Sequence, residues 1–266
     1  MSWWGKIAGG TFGFMLGGPL GAMFGAALGH QFDKGLSVDH DAAGSAQNEQ
    51  IQAAFFTATF SVMGHVAKAD GRVSEEEIRI ANQLMSQMAL NEQQTAAAQH
   101  LFQQGKDSDF DLDGTLKQFR QICGRRSTLL IMFMEIQFHA AFADGEFHEN
   151  EQELLRSINH KLGFGDSEYR AFKASVQAQG YFHRDDADHA LSPEVILANA
   201  YEMLSVSPND SDAEIKKAYR RMMSQHHPDK LVAKGLPEEM MKLATEKTQE
   251  IKAAYEVIQA HRRQPN

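Results

Sequence analysis

His227, Pro228 and Asp229 stand in succession near the C-terminus, with Lys230 directly after them. Their types suit recognition more than bond-making. A carboxylate freed from a helix by a turn, as Asp229 would be here, can form a charge-assisted hydrogen bond to an arginine of another protein. Pro228 fixes the backbone and so lowers the ordering cost of being bound. His227 supplies shape and a polar edge, and nothing near it in the chain makes it a general base. Upstream, Lys216, Lys217, Arg220 and Arg221 recur at helical spacing. Facing an acidic surface, that stripe would steer encounter and make it salt-dependent. The plainer alternative is a solvated helix face.

A second candidate set is acidic. Ala67 to Glu77 and Ala141 to Glu151 align without gaps, each with Asp-Gly, an apolar residue two positions after the glycine, and Glu seven after the aspartate. As structure, this predicts two helix–turn–helix units. Gly71 and Gly145 would adopt left-handed backbone, and Ser74 with Glu77, or His148 with Glu151, would cap the next helix. An EF-hand is excluded, because Val66, Lys68, Ala140 and Phe142 occupy its first ligand positions. Two readings stay open: turns and caps alone, or a joint metal site of Asp70, Glu77, Asp144 and Glu151. Neither a nucleophile–base pair nor a full set of zinc ligands is visible, so no cofactor and no enzyme activity are expected.

The third set is glycine. From Ile7 to Gly29 run 23 residues without a formal charge, flanked by Trp3 and Trp4. A helix of that length covers a bilayer core of ~30 Å. Gly9, Gly13, Gly17, Gly21, Gly25 and Gly29 recur every four residues. Such a ridge allows a second helix to approach closely in lipid, so the span is expected to dimerise as well as anchor, although the ridge drifts by roughly 40° per step. A cleaved signal, a soluble Gly-rich loop broken by Pro19, and surface adsorption are the competing readings.

The elements needed to position these sets are helical throughout. Residues 1–32 are expected to form the anchor and 33–49 a tether. Residues 50–179 carry helical apolar stripes, including Phe55, Phe56, Val62, Met63 and Val66, then Ile78, Ala81, Leu84, Met85 and Met88. The nearly apolar run from Leu129 to Phe142 contains Glu135, Gln137 and His139, which predicts a core helix and not a second span. After a polar linker at 180–195, residues 196–266 predict one short helix and then a helical hairpin. Ser211 and Glu214 form a capping box, Ile215, Ala218, Tyr219 and Met222 face inward, and Pro228 stops the helix near His226. A last helix starts near Pro237 and repeats Ala244, Thr248, Ile251, Tyr255 and Ile258.

Charge narrows the functional classes. The net charge is −9, with no basic stripe of the kind nucleic acid requires, so no nucleic-acid partner is expected. Residues 196–266 hold eleven Lys/Arg against ten Asp/Glu, so the acidity lies in the rest of the chain. The single cysteine, Cys123, reads as a buried small hydrophobe.

Three resemblances follow from these residues. Tyr201-Glu-Met-Leu-Ser-Val206, Ile215-Lys-Lys-Ala-Tyr-Arg-Arg221, His226-His-Pro-Asp-Lys230 and Ile251-Lys-Ala-Ala-Tyr-Glu256 resemble a J domain in order and place. The resemblance implies that His227, Pro228, Asp229 and Lys230, with Lys216, Lys217, Arg220 and Arg221, contact a DnaK-type chaperone and trigger its ATP hydrolysis. The chain departs from the J-domain pattern at Ser205, where glycine is usual, at Thr248, where phenylalanine is common, and in the loop after Lys230. The paired Ala-Asp-Gly segments resemble the TerB family, in which the duplicated acidic residues are linked with metal. Anchor, TerB-like middle and J domain together resemble the DjlA-type membrane-anchored DnaJ-like family. That architecture implies an all-α, single-pass inner-membrane co-chaperone with its C-terminal bulk in the cytoplasm. A membrane-tethered sensor with a secondary J domain is the alternative.

Overall fold

The computed structural model describes residues 17–29, 43–69, 90–124, 127–142, 145–182 and 193–263, and single positions at 79, 82, 85, 86 and 88. Every regular element among them is helical, as expected. In chain order these are α1 Gly18–Gly29, α2 Ala43–Ala67, α3 Glu92–Gly105, α4 Leu112–Cys123, α5 Ser127–Ala141, α6 Glu149–Leu162, α7 Asp166–Phe182, α8 Pro193–Met203, α9 Asp212–His226, α10 Pro228–Ala233, a 3-10 turn at Glu238–Met240, and α11 Met241–Arg263.

The central domain is built round α2, in which every residue from Ala53 to Gly64 is buried. A helix enclosed on all sides must be apolar or small on all sides, and this one is. Where α3 crosses α2 the two backbones touch: a Cβ at Gly105 would lie 1.8 Å from the Ser61 carbonyl oxygen, and one at Gly64 would lie 2.0 Å from that of Phe102. Only glycine permits such an approach. On the other flanks Phe119 of α4 meets Phe55 and Phe133 of α5, with ring centroids 6.0 and 4.7 Å apart. Cys123 is buried and unbridged.

The core-helix expectation for Leu129 to Phe142 holds, and its polar residues have separate outlets. Gln137 donates to the Thr59 carbonyl at 3.1 Å, His139 is exposed, and Glu135 turns towards the C-terminal hairpin. In the second repeat, Gly145 is left-handed at φ +94° and Glu151 is buried, accepting from the His148 N–H at 3.3 Å. That is the turn-and-cap reading for this copy. Asp70, Gly71, Ser74, Glu77 and Asp144 lie outside the described residues.

Of the N-terminal segment, residues 17–29 are described, and they open on a backbone break. Gly17 and Gly18 both take left-handed backbone, at φ +54° and +57°, so α1 starts only at Gly18, with Pro19 in its first turn. Proline in the first turn suits a helix start, and residues 1–16 lie outside the described residues. Twelve residues reach roughly 18 Å, short of a bilayer core. Among the described residues no helix is long and apolar enough to cross a membrane. Leu20 and Phe24 are instead wholly buried in the central core, and Gln118 clasps the helix start by accepting from the Leu20 N–H at 3.0 Å and donating to the Gly17 carbonyl at 2.7 Å. Gly9 and Gly13 lie outside the described residues. Gly17 precedes the helix, Gly21 is buried, Gly25 is exposed and Gly29 ends it, so Gly17 does not belong to a helical ridge.

The C-terminal hairpin follows its pattern closely. Ser211 and Glu214 form the capping box, with Glu214 accepting from the Ser211 N–H at 2.8 Å and Ser211 from the Glu214 N–H at 3.3 Å. α8 starts at Pro193, ahead of the expected boundary, and is closed by Ser205 at φ +52°. There the Val206 N–H reaches the Tyr201 carbonyl and the Ser205 N–H that of Glu202, a Schellman closure. A left-handed position normally filled by glycine therefore holds a strained serine. Ser205→Gly should stabilise the chain by about 0.5–1 kcal/mol, read as a higher denaturant midpoint at unchanged slope; an unchanged midpoint would mean that the turn carries no strain.

Two cores serve this hairpin. Its own holds Tyr201, Met203, Leu204, Ile215, Met222, Ile251 and Ile258. At the loop end, however, Leu231, Leu236, Met240 and Ala244 join the core of the central domain. Burying the two leucines and the methionine at about 2 kcal/mol each is a gross gain of about 6 kcal/mol before ordering costs. The loop after Lys230, unusual for a J domain, is thus the part that docks.

Candidate functional site

The tripeptide follows directly on α9. His227 is extended, at φ −61° and ψ 123°, as its place before proline dictates. The segment after it is not an open loop, because Pro228 begins the short helix α10 as its first residue and His227 caps it. Nδ1 of His227 accepts from the Asp229 N–H at 3.3 Å. His227 therefore orients the aspartate by satisfying a free N–H of a helix start. The Asp229 side chain is 85% exposed and that of His227 47%. Lys230 folds back, donating to the Ser224 hydroxyl at 2.7 Å.

Along α9, Ile215, Ala218 and Met222 are buried, whereas Lys216, Lys217, Arg220 and Arg221 are all exposed. Tyr219 stacks on Tyr255 of α11, with centroids 4.2 Å apart and planes 13° from parallel, which fixes the angle at which the stripe is presented. The structure thus brings all eight predicted contact residues onto α9 and the turn that follows it.

Two supports of this arrangement were not legible as contacts in the sequence. Arg262, near the end of α11, donates to the Tyr201 hydroxyl, the Asp212 carboxylate, and the Pro208 and Asp210 carbonyls at 2.7–3.0 Å. It ties the turn before α9 to the far end of the hairpin. The other is His226, the residue immediately before the tripeptide and only 3% exposed. Its Nδ1 faces the Met222 carbonyl at 2.9 Å and its Nε2 faces the Glu135 carboxylate of α5 at 2.9 and 3.0 Å. Both neighbours are acceptors, so only a ring carrying hydrogen on both nitrogens donates to both.

Glu135 is itself nearly enclosed, at 12% exposure. Burial alone would raise its pKa, but the nearby charges of His226 and Lys247 and the His226 hydrogen bond outweigh that and hold it below the ordinary carboxylate value. Its contribution to docking is therefore present above the ordinary carboxylate range and lost as pH falls through the lowered value. Flanking the pair, Lys234 donates to the Thr128 hydroxyl of α5 at 2.7 Å and Lys247 to the Ser175 hydroxyl of α7 at 2.9 Å.

Of the acidic set, only Glu151 is described, and it caps α6. Among the described residues no group of three or more His, Cys, Asp or Glu is placed to hold a metal.

Comparison with known proteins accounts for the chain in three consecutive parts. Residues 1–40 match the Co-chaperone DjlA transmembrane domain, residues 56–174 match Tellurite resistance protein TerB, and residues 199–265 match the DnaJ domain. Co-chaperone protein DjlA of Photorhabdus laumondii is 42% identical over 97% of this chain and 97% of its own length. Those of Photobacterium profundum and Coxiella burnetii are 43% and 46% identical, over 96% and 82% of this chain and 97% and 81% of their own. The chain belongs to the DjlA co-chaperone family. No solved structure matches it.

As a DjlA-family protein it is a membrane-anchored J-domain co-chaperone, with the N-terminal segment as its anchor. The sensor alternative is not favoured, since its relatives are named as co-chaperones across nearly their whole lengths. Their names fit a regulator of another protein's reaction.

Proposed function

We propose that the chain stimulates ATP hydrolysis by a DnaK-type chaperone, with Asp229 and His227 engaging the chaperone and Lys216, Lys217, Arg220 and Arg221 steering it into place. One observation carries this reading. His227, Asp229 and the basic face of α9 are exposed and Pro228 is half-buried, while the opposite side of the hairpin is buried. An exposed carboxylate at the head of a positive stripe suits a partner offering an arginine beside an acidic patch. In this reading residues 50–266 face the cytoplasm, where ATP and the chaperone are, and the anchor lies in the inner membrane. Two finer parts of the reading stand apart from the site. They are pairing of anchors through the glycine repeat of residues 9–29, tested by crosslinking in membranes, and metal at Asp70, Glu77, Asp144 and Glu151, tested by metal analysis of the purified chain.

The deciding experiment is steady-state ATP hydrolysis by a purified DnaK-type chaperone with and without the full chain in lipid nanodiscs. Stimulation is expected, and its absence at saturating concentration would overturn the reading. The stripe gives a second measurement. Lys216→Glu with Arg220→Glu should weaken chaperone binding about tenfold or more at low salt. The deficit should shrink as added salt shortens the screening length below ~10 Å. A deficit independent of salt would point to packing damage.

A further inference from the structure

We infer that the central domain is part of the chaperone-activating device, and that Glu135 of α5 is a positioning residue for the His-Pro-Asp turn. The inference rests on the proposed function for its activity readout, but not for its structural basis. His226 adjoins the tripeptide in sequence, and its ring is held from both sides, by its own helix through the Met222 carbonyl and by the central domain through Glu135. On the other side of the tripeptide, Leu231, Leu236, Met240 and Ala244 are sunk in the central core. The turn is therefore bracketed by two attachments to a second domain, at 226 and from 231 onward, while Asp229 between them stays in solvent.

A J hairpin attached only by its linker would leave the tripeptide free to reorient relative to the membrane and to anything the central domain holds. Here Thr128 and Glu135, two helical turns apart on one face of α5, hold Lys234 and His226 on either side of the tripeptide. The chaperone meets a turn whose direction is set in advance. Loosening it lowers the fraction of molecules ready to bind and raises the apparent dissociation constant by the same factor. Maximal stimulation at saturation does not change, because the contacting residues are intact. A residue supporting only the fold would move stability without this division between half-saturation and maximum.

The test uses the full chain in nanodiscs, with two measurements on each variant: amide hydrogen exchange across residues 228–244, and the concentration giving half-maximal ATPase stimulation of a DnaK-type chaperone. Glu135→Ala should speed exchange across that segment and raise the half-maximal concentration about tenfold with the maximum unchanged. Glu135→Gln keeps an acceptor for the His226 N–H and should stay within about threefold of the parent. Combining Glu135→Ala with His226→Gln should do no more than Glu135→Ala alone, as expected of two groups in one contact. Faster exchange with an unchanged half-maximal concentration would overturn the positioning role, and unchanged exchange would overturn the docking role. Should Glu135→Ala lose helix content, Thr128→Ala and Lys234→Ala take its place, and the same two measurements decide in the same way. If the parent chain gives no stimulation, the proposed function fails, and the exchange measurement still decides whether Glu135 holds the turn.

Discussion

Asp229→Asn in the full chain should bring stimulation of a DnaK-type chaperone down to the basal rate, a loss of about tenfold or more, with helix content unchanged. The substitution removes one charge and almost no volume. The Asp229 side chain is 85% exposed, so the fold has little to lose. A charge-assisted hydrogen bond to a partner is worth about 1.5–3 kcal/mol, and leaving the partner's cation unpaired in the interface adds to the loss. His227→Gln acts differently. It removes the ring nitrogen that accepts from the Asp229 N–H and so frays the first turn of α10. It should give a comparable loss through misdirection of an intact carboxylate. Stimulation equal to the parent's in either variant, with chaperone ATPase measured at several co-chaperone concentrations, would show that the turn is not the effector.

Gly105→Ala is expected to produce the largest change in stability, about 3 kcal/mol or more, measured as a fall in denaturant midpoint of the full chain. A new Cβ would stand 1.8 Å from the Ser61 carbonyl oxygen, and that atom belongs to the enclosed middle of α2. A flexible side chain could turn away, but a buried backbone cannot. The α2–α3 pair would have to separate, loosening Leu101 and Phe102 from the core and disturbing the His65 contact to the Gly105 carbonyl at 3.2 Å. A fall under about 1 kcal/mol would mean that the crossing can widen at little cost.

Much of this protein was readable because it is written in short-range rules. The capping box at Ser211 and Glu214, the stop at His226 before Pro228, the inward row of Ile215, Ala218 and Met222, and the outward basic stripe depend on neighbours within one or two turns of helix. So does the Glu151 cap of α6. The core character of the Leu129–Phe142 run followed from its three polar residues, although not where each of them would point. The anchor was harder. Charge and length read residues 7–29 as one span, and residues 1–40 match a transmembrane domain; in the described part, 17–29, Gly17 and Gly18 take left-handed backbone and Leu20 and Phe24 lie in the protein core. Glycine permits both outcomes, and hydropathy does not separate burial in lipid from burial in protein.

What the sequence by itself determined is the hairpin, its exposed tripeptide and the face that carries charge. A period of 3.6 residues and the geometry of proline suffice for those. What only the tertiary structure decided is how the hairpin is held. His226 reads as one more polar residue at a helix end, Glu135 as an acid misplaced in an apolar run, and Leu231 and Leu236 as parts of an atypical loop. Each gains its role from a partner that is distant in sequence, 91 positions away for the His226–Glu135 pair. A buried charge is tolerable only with its counter-charge in place, and that pairing exists only once α5 and α9 are folded side by side.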